Sequence, residues 1–129
     1  MMELLNQDSY EVKPDKLIYD SKHPIDVKTI KLKANQGIVK RGTVISLVSP
    51  TNDYIVFGTT LTSGQDSSKA NGIISDDVDT TSTTGDVTAV VYISGHFNRN
   101  ELIVAAGHEL SLTDEETLRA VGIFLSSSL

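Results

Sequence analysis

Asp76, Asp77, Asp79 and Asp86 form the densest group of candidate cation ligands in the sequence. A calcium loop needs oxygen ligands at alternate positions, a central glycine and a closing glutamate. Asp77, Asp79 and Thr81 begin such an order, but Ser82 and Thr83 break it, so the segment reads as a solvated turn between strands. His23, His96 and His108 are scattered, no HExxH pair occurs, and no cysteine is present to supply a thiolate. His96, beside Gly95, reads as the cap of a strand end. No serine lies in a GxSxG elbow, and Lys69 falls in the wrong order for a phosphate-binding loop. Glu115 and Glu116 are assigned to the start of a helix. The sequence therefore offers no catalytic set, no cofactor-binding motif and no metal site, which favours a binding or structural role over an enzyme. A hydrolase using His96 or His108 with a distant aspartate stands as an alternative, because a triad is recognised by geometry rather than by sequence position.

The elements that must position any binding surface are mostly strands. Val87, Ala89, Val91 and Ile93 alternate onto one apolar face, while Thr88, Val90, Tyr92 and Ser94 form a half-polar opposite face. Gly95 is expected to end this strand, and Asn98, with Glu101 three residues on, offers a capping box for a short helix through Leu102 and Ile103. Ile30 and Leu32 alternate with Lys31 and Lys33 in a half-buried strand. After a turn at Asn35, Gln36 and Gly37, residues 39–48 read as a strand kinked at Gly42, buried on both faces from Val44 to Val48. A turn cluster at residues 49–53 leads into a strand over residues 54–57, which makes a hairpin. Residues 63–71, rich in Ser and Gly, are expected to form a surface loop. Near the C-terminus Thr113 as N-cap and Glu116 as its capping-box partner start a helix, with Leu118 and Val121 facing inward and Gly122 as the stop. Ile123, Phe124 and Leu125 then read as a last strand.

A chain of 129 residues is one domain by length and large enough to fold without staples. Its net charge of −6 is unevenly spread. Residues 1–41 hold eight Lys/Arg against six Asp/Glu, whereas residues 42–129 hold three against eleven. Such an acidic body repels a phosphate backbone, so nucleic acid is not an expected partner, while the mildly basic first third suits an acidic protein surface. The first ten residues lack the basic start and apolar core of a signal peptide, and no apolar run approaches the ~20 residues of a spanning helix, so no membrane association is expected.

Residues 1–16 show no periodicity and include Pro14, which reads as an extended arm preceding a domain at residues 17–129. Ordering such a segment costs roughly 1–2 kcal/mol per residue in backbone entropy, so a surface must repay it. Ser9, Tyr10, Glu11, Val12, Lys13, Leu17 and Ile18 are the candidate contact residues of the arm.

Taken in order, RGTVISLV, ANGIISDDVD, VVYISGHFNRNEL and LRAVGIFL resemble the lambda-type head decoration, or capsid cement, proteins of tailed bacteriophages. The resemblance covers roughly residues 28–129. It implies a mainly β (α+β) fold, an incomplete barrel with short helices, together with an N-terminal arm that orders on the capsid. It further implies a homotrimer on the outer capsid surface of the virion, reached from the host cytoplasm during assembly, with the major capsid protein as partner, no enzymatic activity and no cofactor. The competing reading is a small β-rich surface module that presents a protein or carbohydrate site on the loop at residues 63–71.

Overall fold

Strand alternation organises the molecule around one long element, Val87–Asn98, which pairs with four other strands. The computed structural model describes residues 16–61, 64–65, 67–81 and 85–127. In chain order the elements are β1 (Ile18–Asp20), β2 (Asp26–Leu32), β3 (Ile38–Val39), β4 (Val44–Ser49), β5 (Tyr54–Val56), β6 (Ser67–Ile74), β7 (Val78–Asp79) and β8 (Val87–Asn98). A 3-10 turn at Arg99–Glu101, helix α1 (Leu112–Ala120) and β9 (Ile123–Ser126) complete it.

β8, β2, β5, β4 and β6 follow one another in a ring that β6 closes by pairing with β8. Two seams are narrow: β2 meets β5 at Leu32 opposite Tyr54, and β6 meets β8 at Ile73 and Ile74 opposite Tyr92 and Val91. The outcome is the expected mainly β fold, a small five-stranded barrel with extra strands and one short α-helix. Outside the ring, β1 lies antiparallel and β9 parallel to the end of β8.

Successive residues of a strand point to opposite faces, and here both faces are buried. Ile45, Ile74, Ala89 and Val91 join Ile30, Leu32 and Val39 in one core cluster. Their neighbours in sequence, Val44 and Ile73, instead join Leu17, Phe57, Ala70, Phe97, Leu118 and Ile123 in a second cluster under α1 and β9. Each such side chain contributes about 1.5–3 kcal/mol on leaving water. The expected two-sided burial of residues 44–48 is borne out by Val44, Ile45, Ser46 and Val48, all fully buried.

Several local expectations are corrected, the first being the kinked strand over residues 39–48: the chain turns at Arg41 and Gly42, and β3 and β4 are separate strands in different sheets. β8 does not stop at Gly95 but runs on to Asn98, and Gly95, at φ +140°, is needed there because a Cβ would stand 3.0 Å from the Phe97 ring. Asn98 caps only the 3-10 turn, accepting from Asn100 N, because the backbone of Ile103 is taken by other partners. Its N–H donates to Gly42 O and its carbonyl accepts from Val44 N, so no helix continues through Leu102 and Ile103.

The segment expected as a loop at residues 63–71 is strand from Ser67, continuing to Ile74 between β4 and β8. Its weak β propensity is overridden because the slot is narrow. A Cβ on Gly72 would stand 3.3 Å from Tyr92 O and 3.4 Å from the Ile45 side chain. A bulge at Asn71 absorbs the register shift between the Ile45–Gly72 and Ser46–Ala70 pairs.

Finally, α1 is capped by Ser111 rather than Thr113. Ser111 Oγ accepts from Asp114 N and Asp114 Oδ2 accepts from Ser111 N, a complete capping box two residues upstream of the expected one. Leu118 is buried as expected, whereas Val121 lies beyond the last helical turn and is 47% exposed. Ser111→Ala should cost about 1 kcal/mol, read as a lower Tm, while Thr113→Ala should cost less.

Candidate functional site

Leu17 is the first buried residue of the described chain. That side chain is buried in the second core cluster, and its carbonyl accepts from Asn98 N at 2.7 Å. Ile18 stands opposite Phe97 in the β1–β8 ladder and packs against the same cluster. Leu17 and Ile18, named as arm contacts from sequence, therefore have their packing within the domain itself. Ser9, Tyr10, Glu11, Val12 and Lys13 lie outside the described residues.

At this junction the fold assembles a cluster that no sequence spacing announces. Asp20 on β1 sits opposite His96 on β8. His96 Nδ1 is 2.9 Å from Asp20 Oδ2, and His96 Nε2 is 2.7 Å from Ser126 Oγ on β9. A carboxylate only accepts, so Nδ1 carries a proton toward Asp20. Tyr19 lies over the His96 ring at 4.5 Å between centroids, and His23 meets its edge at 5.4 Å while stacking on Phe124 at 4.6 Å. Burial pushes the Asp20 carboxyl up, but the Lys22 N–H and the neighbouring His96 outweigh it and hold the carboxyl below its ordinary range. His96 is thus an interior position of a continuing strand, not the strand-end cap expected of it.

The order carboxylate, imidazole, hydroxyl is that of an acyl-transfer relay. Catalysis needs more: oxyanion donors about 2.7–3.1 Å from the developing charge and room for a substrate. A cleft of about 400 Å³ is present, but it opens elsewhere, between β4, β6 and the end of α1, against Leu47, Val48, Lys69, Asn71, Thr117 and Val121. His108 is apart from the cluster, edge-on to Phe57 at 4.9 Å and 3.9 Å from Asp114.

The aspartates near β7 are occupied individually. Asp77 Oδ1 accepts from Arg41 N, and Asp76 Oδ1 accepts from Asp77 N. Asp79 accepts from the hydroxyl and the N–H of Thr81, which hold its carboxyl below the usual range. Among the described residues no three His, Asp or Glu are grouped to hold a metal ion. Glu115 lies in the first turn of α1 as expected, whereas Glu116 is not the capping-box partner. Glu115 takes the Arg99 guanidinium through two hydrogen bonds of 2.7 and 2.8 Å, tying the 3-10 turn to the helix, and Glu116 pairs with Arg119.

The half-polar face of β8 divides in two. Thr88 and Val90 are exposed, whereas Tyr92 packs against the second core, its ring 5.2 Å from that of Phe97, with its hydroxyl taken by Arg41. Ser94 accepts from Asp26 N and donates to Pro24 O, which fixes the approach of the chain to β2.

The chain is thus a small five-stranded ring with β1 and β9 laid along the end of β8, in which the aspartates near β7 hold turns and Glu115 and Glu116 hold ion pairs. The chain belongs to the bacteriophage lambda head decoration protein D family, whose model matches residues 7–123. That family is one of structural phage proteins of the capsid, not of enzymes. A comparison with curated proteins finds no match. No helix among the described residues is long and apolar enough to cross a membrane.

Proposed function

We propose that this protein binds the outer surface of the expanded phage head as a homotrimer, contacts the major capsid protein through the arm at residues 1–16, and stabilises the shell against the pressure of packaged DNA. The observation that carries this reading is the family match over residues 7–123, which covers the fold up to the start of β9 and extends into the N-terminal segment. Physical chemistry supports it. An extended segment can add to a sheet edge through main-chain hydrogen bonds with little sequence signature of its own. Three arms on one rigid body raise the effective concentration of each, so avidity exceeds a single arm's affinity by ~10²–10⁴-fold. A ligand that prefers the assembled lattice to free subunits stabilises that lattice by linkage. The role calls for no catalysis, cofactor, nucleic acid or membrane.

The test is co-sedimentation with expanded heads that lack the protein, paired with light scattering of the free chain. Saturable pelleting and a mass near three times the 13.9 kDa chain are expected. A strict monomer at high concentration counts against the trimer, and a chain that stays in the supernatant counts against capsid binding.

A further inference from the structure

We infer that His96 is the latch that fastens the root of the N-terminal arm to the domain, with Asp20 and Ser126 as its two catches. β1 and β9 both pair with the last residues of β8. The His96 side chain joins them above that shared segment, reaching Asp20 with one ring nitrogen and Ser126 with the other. Removing the imidazole uncouples three strands at one point.

Leu17 and Ile18 anchor the start of β1 on the second core, so the latch matters at the other end of the strand. β1 is three residues long, and its register slips between Ile18 and Asp20, so the ladder offers few regular bonds. Short terminal strands open locally at low cost unless they are tied down. Leu17 holds the near side through burial and through the bond from Asn98 N. Beyond it, Asp20 ends the strand, and residues 21–25 are exposed. The Asp20–His96 contact is therefore the tie on β1 itself at its far side, ahead of the His23–Phe124 stack and the Ser94–Pro24 bond that hold the chain further on. It is well prepared: Asp20 Oδ1 is engaged by Lys22 N, leaving Oδ2 for the imidazole, and Tyr19, His23 and the catches fix the ring plane. The hydroxyl of Ser126 donates to or accepts from the ring, so the imidazole is satisfied at both nitrogens.

The consequence for binding rests on the arm reading proposed above. If β1 peels away, the arm is tethered through a longer flexible segment, and the effective concentration of the three arms falls. His96 is in this sense a positioning residue for the arm and need not touch the capsid.

Hydrogen exchange of the full chain tests the latch without any heads. Glutamine in place of His96 reaches toward Ser126 but abandons Asp20, whereas asparagine places an amide N–H near the Nδ1 position and keeps Asp20. His96→Gln should speed exchange of residues 17–22 by roughly five- to tenfold, with β4 and the first half of β8 unchanged, and His96→Asn should stay closer to the parent. Unchanged exchange at residues 17–22 in His96→Gln, or equal acceleration throughout the domain, would overturn the latch. Should His96→Gln not fold, Asp20→Ala removes the catch on β1 alone and must give the same local acceleration. Loss of the latch signal leaves capsid binding by the parent chain untouched, and failure of the parent chain to bind heads leaves the latch untouched.

Discussion

Phe97→Ala is expected to remove about 3–5 kcal/mol of folding stability and to lower Tm by roughly 10–20 °C. Phe97 is fully buried, and three separate parts of the chain depend on its ring. Tyr92 packs on it at 5.2 Å, Ile18 on β1 stands opposite it with Leu17 just before in the same cluster, and Ile123 and Leu118 join that cluster from the C-terminal side. Gly95 leaves its side open so that the ring can lie 3.0 Å from where a Cβ would be. Truncation leaves a cavity that these neighbours, held on four different elements, cannot close together, which places the cost at the upper end for a buried aromatic. A domain of this kind holds about 5–15 kcal/mol in total, so the variant should be marginal at physiological temperature. Phe97→Leu, which keeps most of the volume, should lose much less. A loss below about 1 kcal/mol for the alanine variant, measured by urea unfolding with an unchanged m-value, would show that the second core does not centre on this ring.

Removal of residues 1–16 has the opposite profile. The truncated chain begins at Leu17, keeping the buried side chain and the carbonyl that Asn98 uses. Its Tm should therefore stay close to that of the full chain, while on the proposed trimer its binding to expanded heads should fall by at least ~10²-fold, since all three proposed arms would go together. Extending the cut through Asp20 should alter the outcome in kind. The core then loses Leu17, His96 loses its carboxylate partner, and stability falls along with binding. A truncation at residue 16 that binds heads as well as the full chain would remove the arm from the mechanism.

What could be read from the sequence was whatever a local pattern determines. Alternation marked β8 and β2, and Gly122 ended the helix, where its φ is +101°, but the kink expected at Gly42 is a full turn that leaves β3 and β4 as separate strands in different sheets. Places where a distant partner decides the structure could not be read. β6 contains Ser, Ala, Asn and Gly, a loop-like composition, yet it is a strand because β4 and β8 flank it and only small residues fit the slot beside Ile45 and Tyr92. Two capping boxes overlap, Ser111 with Asp114 and Thr113 with Glu116, and spacing alone does not choose between them; the fold uses the first. Ile103 follows a helix-start signal but spends its backbone on Gly42 and Val44. The Asp20–His96–Ser126 cluster joins residues 76 and 30 positions apart, so it had no signature in the sequence beyond a histidine beside the glycine expected to end β8.

The central claim is tested most directly by imaging expanded heads, stripped of decoration, after incubation with the full chain. Electron-microscopic reconstruction should show three-lobed density added to the outer surface at the three-fold and quasi-three-fold positions, with each lobe accommodating the five-stranded ring and with density running from Leu17 onto the neighbouring capsid subunits. Heads indistinguishable from bare ones at saturating protein, or density confined to the inner surface, would contradict the account.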